Sequence, residues 1–192
     1  MKEKLGAKLS LYPSLVVLAG AMVDGKPNFL TIAHVGISDM GSLSLSMNKS
    51  HYTNAGIKAN GTFSVNIPSE SMVKVTDYCG ISSGKRVDKS EIFKVFYGEL
   101  KTAPMIEDCP VNMECALLQT VDFPNHDMFI GKVVQTYVAK ECMTDKAIDF
   151  EKVKPLLFCM SDRTYHGLGK KIGDAWSIGK KLKIKPADNI KG

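Results

Sequence analysis

Ser42-Leu-Ser-Leu-Ser-Met-Asn-Lys-Ser-His-Tyr-Thr-Asn54 carries two signals in succession. Its first half alternates strictly, so the serines face one way and Leu43, Leu45 and Met47 the other, the period-two pattern of a half-buried strand. Its second half, from Ser46 on, leaves that strand through a polar turn holding Lys49 and enters a helix near Ser50. Ser50 is placed to cap a short helix from His51 to Asn60, and Gly61 to end it. Hydroxyls, one ammonium and the free N–H groups of a helix start are what a phosphate dianion requires. The same stretch also reads as an ordinary capped helix with solvated polar residues, which is the commoner arrangement.

Working outward, Phe29 to Ile37 reads as a strand preceded by the turn Asp24-Gly25-Lys26-Pro27 and, before that, the β-rich run Leu15 to Val23. On the other side Thr62 to Ile67 is a strand that stops at Pro68. Ser69 then caps a helical stretch from Glu70 to Tyr78, and a polar loop follows from Cys79 to Asp88. Val95 to Leu100, Val111 to Val121 and Met128 to Val138 read as further strands, the last two joined by the turn Phe123 to Asp127. Short strands interrupted by one or two helices predict a mostly β chain with a few helices, a closed or partly closed barrel rather than alternating βαβ units. One domain over 1–180 is expected, followed by a basic tail over 181–192.

The charge is unevenly placed. The chain has 192 residues and a formal charge of +5. Residues 163–192 alone sum to +6, so the first 162 are close to neutral at −1. A nucleic-acid module needs basic residues interleaved with aromatics over a sheet face, and the neutral body offers no such stripe. Lys170, Lys171, Lys180 and Lys181 instead suggest long-range steering of an acidic partner, or simply a solvated end. No membrane partner is expected, because the apolar stretch Leu15 to Val23 falls well short of the roughly 20 residues that a spanning helix needs. That stretch also has a signal-peptide flavour after Lys2, Lys4 and Lys8, but Pro13 before it and the turn after it favour a hairpin.

Five scattered cysteines (Cys79, Cys109, Cys115, Cys142, Cys159), with no Cys-x-x-Cys, fit a reducing compartment and hence a cytoplasmic location. With four dispersed histidines they offer no metal site, zinc knuckle or iron–sulfur pattern. Redox chemistry would need a borrowed cofactor. A second window, Asn28-Phe-Leu-Thr-Ile-Ala-His-Val35, sets small or polar residues among apolar ones, which lets a flat ligand reach the backbone. Taken singly, Thr31 is an ordinary strand residue and His34 a half-buried histidine.

The order of these motifs resembles the flavin reductase-like family, closest to its flavoredoxin branch. The resemblance runs through Leu11-Tyr12-Pro13, Asp24 to Thr31, Ser46 to Asn54, Gly61 to Pro68 and Asp77-Tyr-Cys-Gly80. It continues through Ser83 to Lys89, Cys109 to Cys115, Phe129-Ile-Gly131 and Tyr165 to Lys170, and so covers roughly residues 5–180. It implies an FMN-binding split β-barrel working as a homodimer, with the flavin near the subunit interface. Carried over by position, Asn28, Thr31, Ala33, His34 and Val35 would line the isoalloxazine. Ser46, Met47, Asn48, Lys49, His51 and Thr53 would hold the ribityl phosphate, while a Cys79-Gly80 turn with Ser83, Gly84 and Lys85 would close over the cofactor. Cys79 is expected to be a buried thiol with no redox part.

The implied function is that of an oxidoreductase-type flavoprotein carrying electrons through bound FMN to an acceptor protein or small molecule, with no catalytic side chain. The donor would be a ferredoxin-, rubredoxin- or flavodoxin-like protein. An NAD(P)H-dependent flavin or ferric reductase is the alternative, although no Gly-x-Gly-x-x-Gly follows a strand here. A non-catalytic binding module and a pyridoxamine-phosphate-oxidase-like enzyme are the other classes weighed.

Overall fold

In the computed structural model, which describes residues 1–182, two consecutive strands lie at opposite edges of one sheet. The strands are β1 (Val17–Val23), β2 (Lys26–Ile32), β3 (Val35–Asp39), β4 (Ser42–Asn48), β5 (Thr62–Ile67), β6 (Val111–Asp122) and β7 (His126–Val138). Their order across the sheet is β2-β1-β5-β6-β7-β4-β3, antiparallel throughout. Between β2 and β3 stand only Ala33 and His34. A link that short spans about 10 Å at full stretch. The two edges must therefore come together, and the sheet curls into a barrel.

The expected single strand from Phe29 to Ile37 is accordingly broken in two at that link. The first piece pairs with β1 and the second with β4, at the two edges of the sheet. The residues of β1 are buried on both faces: Val17, Ala19 and Ala21 face the barrel core, while Leu18 faces a second cluster with Phe29, Met72, Cys79, Phe93, Ile106 and Cys109. That double burial explains an unbroken apolar run where a one-sided strand would alternate. Phe63 and Phe129 fill the barrel interior with no exposed surface, and burying such side chains contributes roughly 1.5–3 kcal/mol each.

Helix α1 (Thr53–Asn60) ends as expected at Gly61, whose φ of 64° is the left-handed cap conformation. Its start differs from expectation, because Ser50 does not cap it. The Asn48 side chain takes both the Ser50 N–H (2.9 Å) and its hydroxyl (2.8 Å), so the chain makes a local turn and the helix begins three residues later. Helix α2 (Val73–Ile81) follows a 3-10 turn at Glu70–Met72, and the Ser69 hydroxyl shares a hydrogen bond with Ser71 instead of capping. Cys79 and Gly80 are thus helical, not a turn, since burying Cys79 in the second cluster carries α2 on to Ile81.

Only Val95–Phe96 of the expected strand from Val95 to Leu100 forms, pairing with Met105–Ile106. Beyond it the buried Glu114 carboxylate accepts the N–H groups of Glu99 (3.0 Å) and Leu100 (2.7 Å), bonds a ladder would otherwise need. A small sheet of Ser14–Leu15, β8 (Leu157–Cys159) and β9 (Thr164–His166) lies outside the barrel. The predicted tail over 181–192 lies almost wholly outside the described residues, including Lys183, Lys185 and Lys191. No helix among the described residues is long and apolar enough to cross a membrane.

Candidate functional site

A cleft runs along β2 between α1, α2 and the β8–β9 hairpin. At one end a chamber of about 150 Å³ is lined by Asn28, Ser50, His51, Thr53, Gly80, Ser83, Gly84 and Lys89, among others. Past Gly80 and Ile81, which line both, a groove of about 320 Å³ takes in Val16, Thr31, Ala33, Asp77, Phe158, Met160, Arg163 and Tyr165. The chamber is polar and the groove mixed, with aromatic and aliphatic walls.

The chamber floor is built by a buried bond from Asn28 Nδ2 to Thr53 Oγ1 at 2.7 Å. Lys89 closes one wall. Its side chain is buried, and Nζ donates to Phe29 O at 2.9 Å and Cys79 O at 2.8 Å. Its ion-pair set includes no carboxylate among the described residues. Burial pushes the Lys89 ammonium below its ordinary value, as expected for a cation with only carbonyl dipoles to stabilise it. Across the chamber, His51 Nδ1 is buried and without a hydrogen-bond partner. Burial, followed by the charges of His126 and Lys89, lowers its imidazole below 6.5, so the ring is neutral at pH 7.

A buried, unpaired ammonium with a third N–H to give and an orphaned imidazole nitrogen form a donor set suited to a phosphate. Position 84 must be glycine for the loop to close. A Cβ there would strike the Asn28 amide and lie 2.7 Å from Tyr52 Cδ1.

The predicted site residues divide by location. Asn28, His51, Thr53, Gly80, Ser83 and Gly84 converge on the chamber, Thr31 and Ala33 line the groove, and Lys85 stands in an adjoining cavity. Thr31 donates its hydroxyl to Thr76 O, which fixes the side chain. His34 is exposed at the mouth, with Nε2 3.1 Å from the Tyr12 hydroxyl, and Val35 is half-buried beside it.

The structure does not bring the remaining side chains into the cleft. Met47 packs in the barrel core, Cys79 packs in the second cluster with burial pushing its thiol up to about 11, and Asn48 is spent on the Ser50 turn. Ser46 is half-buried on β4 and gives its N–H to His34 O, while Lys49 pairs with Asp122 at the barrel end. Sequence reading missed Lys89 and the hairpin residues Phe158, Met160, Arg163 and Tyr165. Lys89 sits in a charged run that looks solvated, and its burial follows from the loop folding back on β2. Among the described residues Cys159, Asp162 and His166 also cluster on the hairpin, where the last two are exposed.

This fold and this cleft define a class. Residues 9–169 match the flavin reductase like domain, and the chain belongs to that family. Two solved flavoredoxins share its structure. That of Methanosarcina acetivorans is 43% identical, with a TM-score of 0.92, and the match covers 95% of this chain and 100% of that one. That of Desulfovibrio vulgaris (Miyazaki F) is 33% identical, with a TM-score of 0.87, and the match covers 93% and 100%. A protein of Archaeoglobus fulgidus is 30% identical over 129 residues, 65% of this chain and 72% of that one.

Proposed function

We propose that the chain is an FMN-binding, flavoredoxin-like electron carrier, holding the flavin phosphate in the chamber of Lys89, His51 and Thr53 and the ring in the groove of Thr31 and Ala33. The observation that carries this reading is the Lys89 ammonium, buried at the chamber with no carboxylate to neutralise it. Bound FMN supplies the redox chemistry, taking electrons in pairs or singly. The chain's part is to bind, orient and limit access. Thr53 and Lys89 hold a dianion, and neutral His51 offers one more contact. Ala33 leaves the groove open, while Phe158, Met160 and Tyr165 wall it on the hairpin side. Tyr165 is fixed by its bond to Asp77 at 3.0 Å. No side-chain acid or base is required.

The same reading carries a homodimer. Leu5, Leu9 and Leu11 of an extended N-terminal segment are exposed, as are Ile37 and Met40 at the β3 edge and Trp176 near the other end. A second copy covering these residues would remove apolar surface from water and leave the cleft near its edge. Exposed Lys170 and Lys180 suit an acidic ferredoxin-, rubredoxin- or flavodoxin-like donor.

Anaerobic titration of the FMN-loaded protein with a reduced ferredoxin, NADH and NADPH tests the assignment. Rapid bleaching by the protein donor alone is expected. Rapid bleaching by a nicotinamide would make the chain an NAD(P)H-dependent reductase, and failure to take up FMN would end both readings.

A further inference from the structure

The β8–β9 hairpin has a second face. Its register sets Leu157 opposite His166, Phe158 opposite Tyr165 and Cys159 opposite Thr164. Side chains alternate along each strand, so Phe158 and Tyr165 wall the groove while Cys159, Thr164 and His166 share the reverse side. The turn between the strands, in which Arg163 takes a left-handed φ of 57°, carries Asp162. One ligand atom from each of Cys159, Asp162 and His166 lies within 4.8 Å of the other two. The three residues have no familiar metal-binding spacing in the sequence, and it is the hairpin that gathers them.

The donor set decides what they hold. A thiolate, an imidazole and a carboxylate are the three ligand types that zinc accepts, and their spread from soft to hard suits a borderline cation. Charge balances too, since thiolate and carboxylate together offset a divalent ion and the imidazole is neutral. Cys159 is half-buried, whereas the other four cysteines are buried, so its sulfur is the one within reach of an ion from solvent. Asp162 belongs to none of the ion pairs of the described residues. Thr164 holds two of the ligands side by side: its hydroxyl donates to Asp162 Oδ1 at 2.8 Å and lies 2.8 Å from His166 Nε2. An outer partner of this kind fixes ligand orientation before the metal arrives. In a tetrahedral zinc site the ligand atoms stand about 3.3–3.8 Å apart, so closing from the present spacing takes about 1 Å of movement. Asp162 and His166 are exposed and free to make it.

We propose that Cys159, Asp162 and His166 form a zinc site on the back of the hairpin, with water as the fourth ligand. On binding, the Cys159 thiol becomes a thiolate and its proton passes to solvent. The metal then ties β8, β9 and their turn together, and so steadies the strand pair that presents Phe158 and Tyr165 to the groove. The site itself does not depend on the flavin reading.

The FMN-loaded chain, kept anaerobic and given zinc, tests this by calorimetry, metal analysis after desalting and zinc X-ray absorption. About one zinc per chain should remain, with one sulfur at about 2.3 Å and the other ligands at about 2.0–2.2 Å. Cys159→Ser should remove the sulfur shell, and His166→Gln should weaken zinc about a hundredfold. Zinc should also slow hydrogen exchange of the 157–166 amides in the native chain but not in Cys159→Ser. Zinc that washes out of the native chain overturns the proposal. So does a sulfur shell that survives Cys159→Ser, or a site of nitrogen and oxygen alone that neither substitution disturbs. FMN affinity measured on the same samples reports on the flavin reading separately.

Discussion

Asn28 Nδ2 donates to Thr53 Oγ1 at 2.7 Å, joining β2 to the first turn of α1 beneath the phosphate chamber. Both residues are buried, so the loss of either partner leaves the other poorly solvated. With the Thr53 oxygen held as acceptor, its own proton is free to point into the chamber. Thr53→Ala leaves the Asn28 amide without its acceptor and should cost about 1–3 kcal/mol in urea unfolding. It should also weaken FMN more than riboflavin, which lacks the phosphate. Thr53→Ser should restore both properties; an alanine variant as stable as the native chain would show that the bond contributes nothing.

Lys89 is expected to set a preference for a phosphate-bearing flavin. Replacing it by methionine keeps the length of the side chain and removes the ammonium that two carbonyls orient. A charge-assisted bond contributes about 1.5–3 kcal/mol, so Lys89→Met should lower FMN affinity about tenfold to a hundredfold. Riboflavin affinity should change little. Equal losses for the two flavins, read by fluorescence titration, would place the phosphate elsewhere.

How far the sequence discloses such a site depends on the range of the contacts that make it. The strict alternation of Ser42 to Met47 and the stop at Gly61 are local properties, and both appear in the fold as expected. The Thr53 end of the same window reaches the chamber because helix α1 begins there. Lys89 is the opposite case. Its neighbours are charged and its burial depends on the carbonyls of Phe29, 60 residues away, and of Cys79, 10 residues away across the loop. Lys49, the cation that the local pattern offers for a phosphate, pairs with Asp122 across the β4–β7–β6 end of the barrel. The two-residue link at Ala33 and His34 was equally hidden. Nothing local marks it, and only closure of the sheet requires the break.

Glu114 is predicted to matter for stability and not for the flavin. Its carboxylate is fully buried and accepts from Glu99 N, Leu100 N and the Tyr137 hydroxyl at 2.9 Å. Glu114→Gln preserves the shape but turns an amide donor toward groups that are themselves donors. Unfolding free energy should fall by about 1–3 kcal/mol, while the ratio of FMN to riboflavin affinity stays that of the native chain. A shift in that ratio would mean that the 97–106 segment communicates with the cleft.

His51 should give the protein an acid limit that bound FMN relieves. Burial first, then His126 and Lys89, hold its imidazole below 6.5 in the folded chain. Between that lowered value and 6.5 the unfolded chain binds more protons than the folded one. Stability in this window therefore rises with pH and is lost as pH falls through it. The urea midpoint should drop between about pH 7.5 and about pH 5, and His51→Gln should flatten that part of the profile. A phosphate beside the ring favours the imidazolium and raises its pKa again. The FMN-loaded protein should then lose less stability over the same interval than the riboflavin-loaded protein, and His51→Gln should abolish the difference. Identical acid profiles for the two flavins would remove His51 from the phosphate chamber's contacts while leaving the assignment to Lys89 and Thr53 in place.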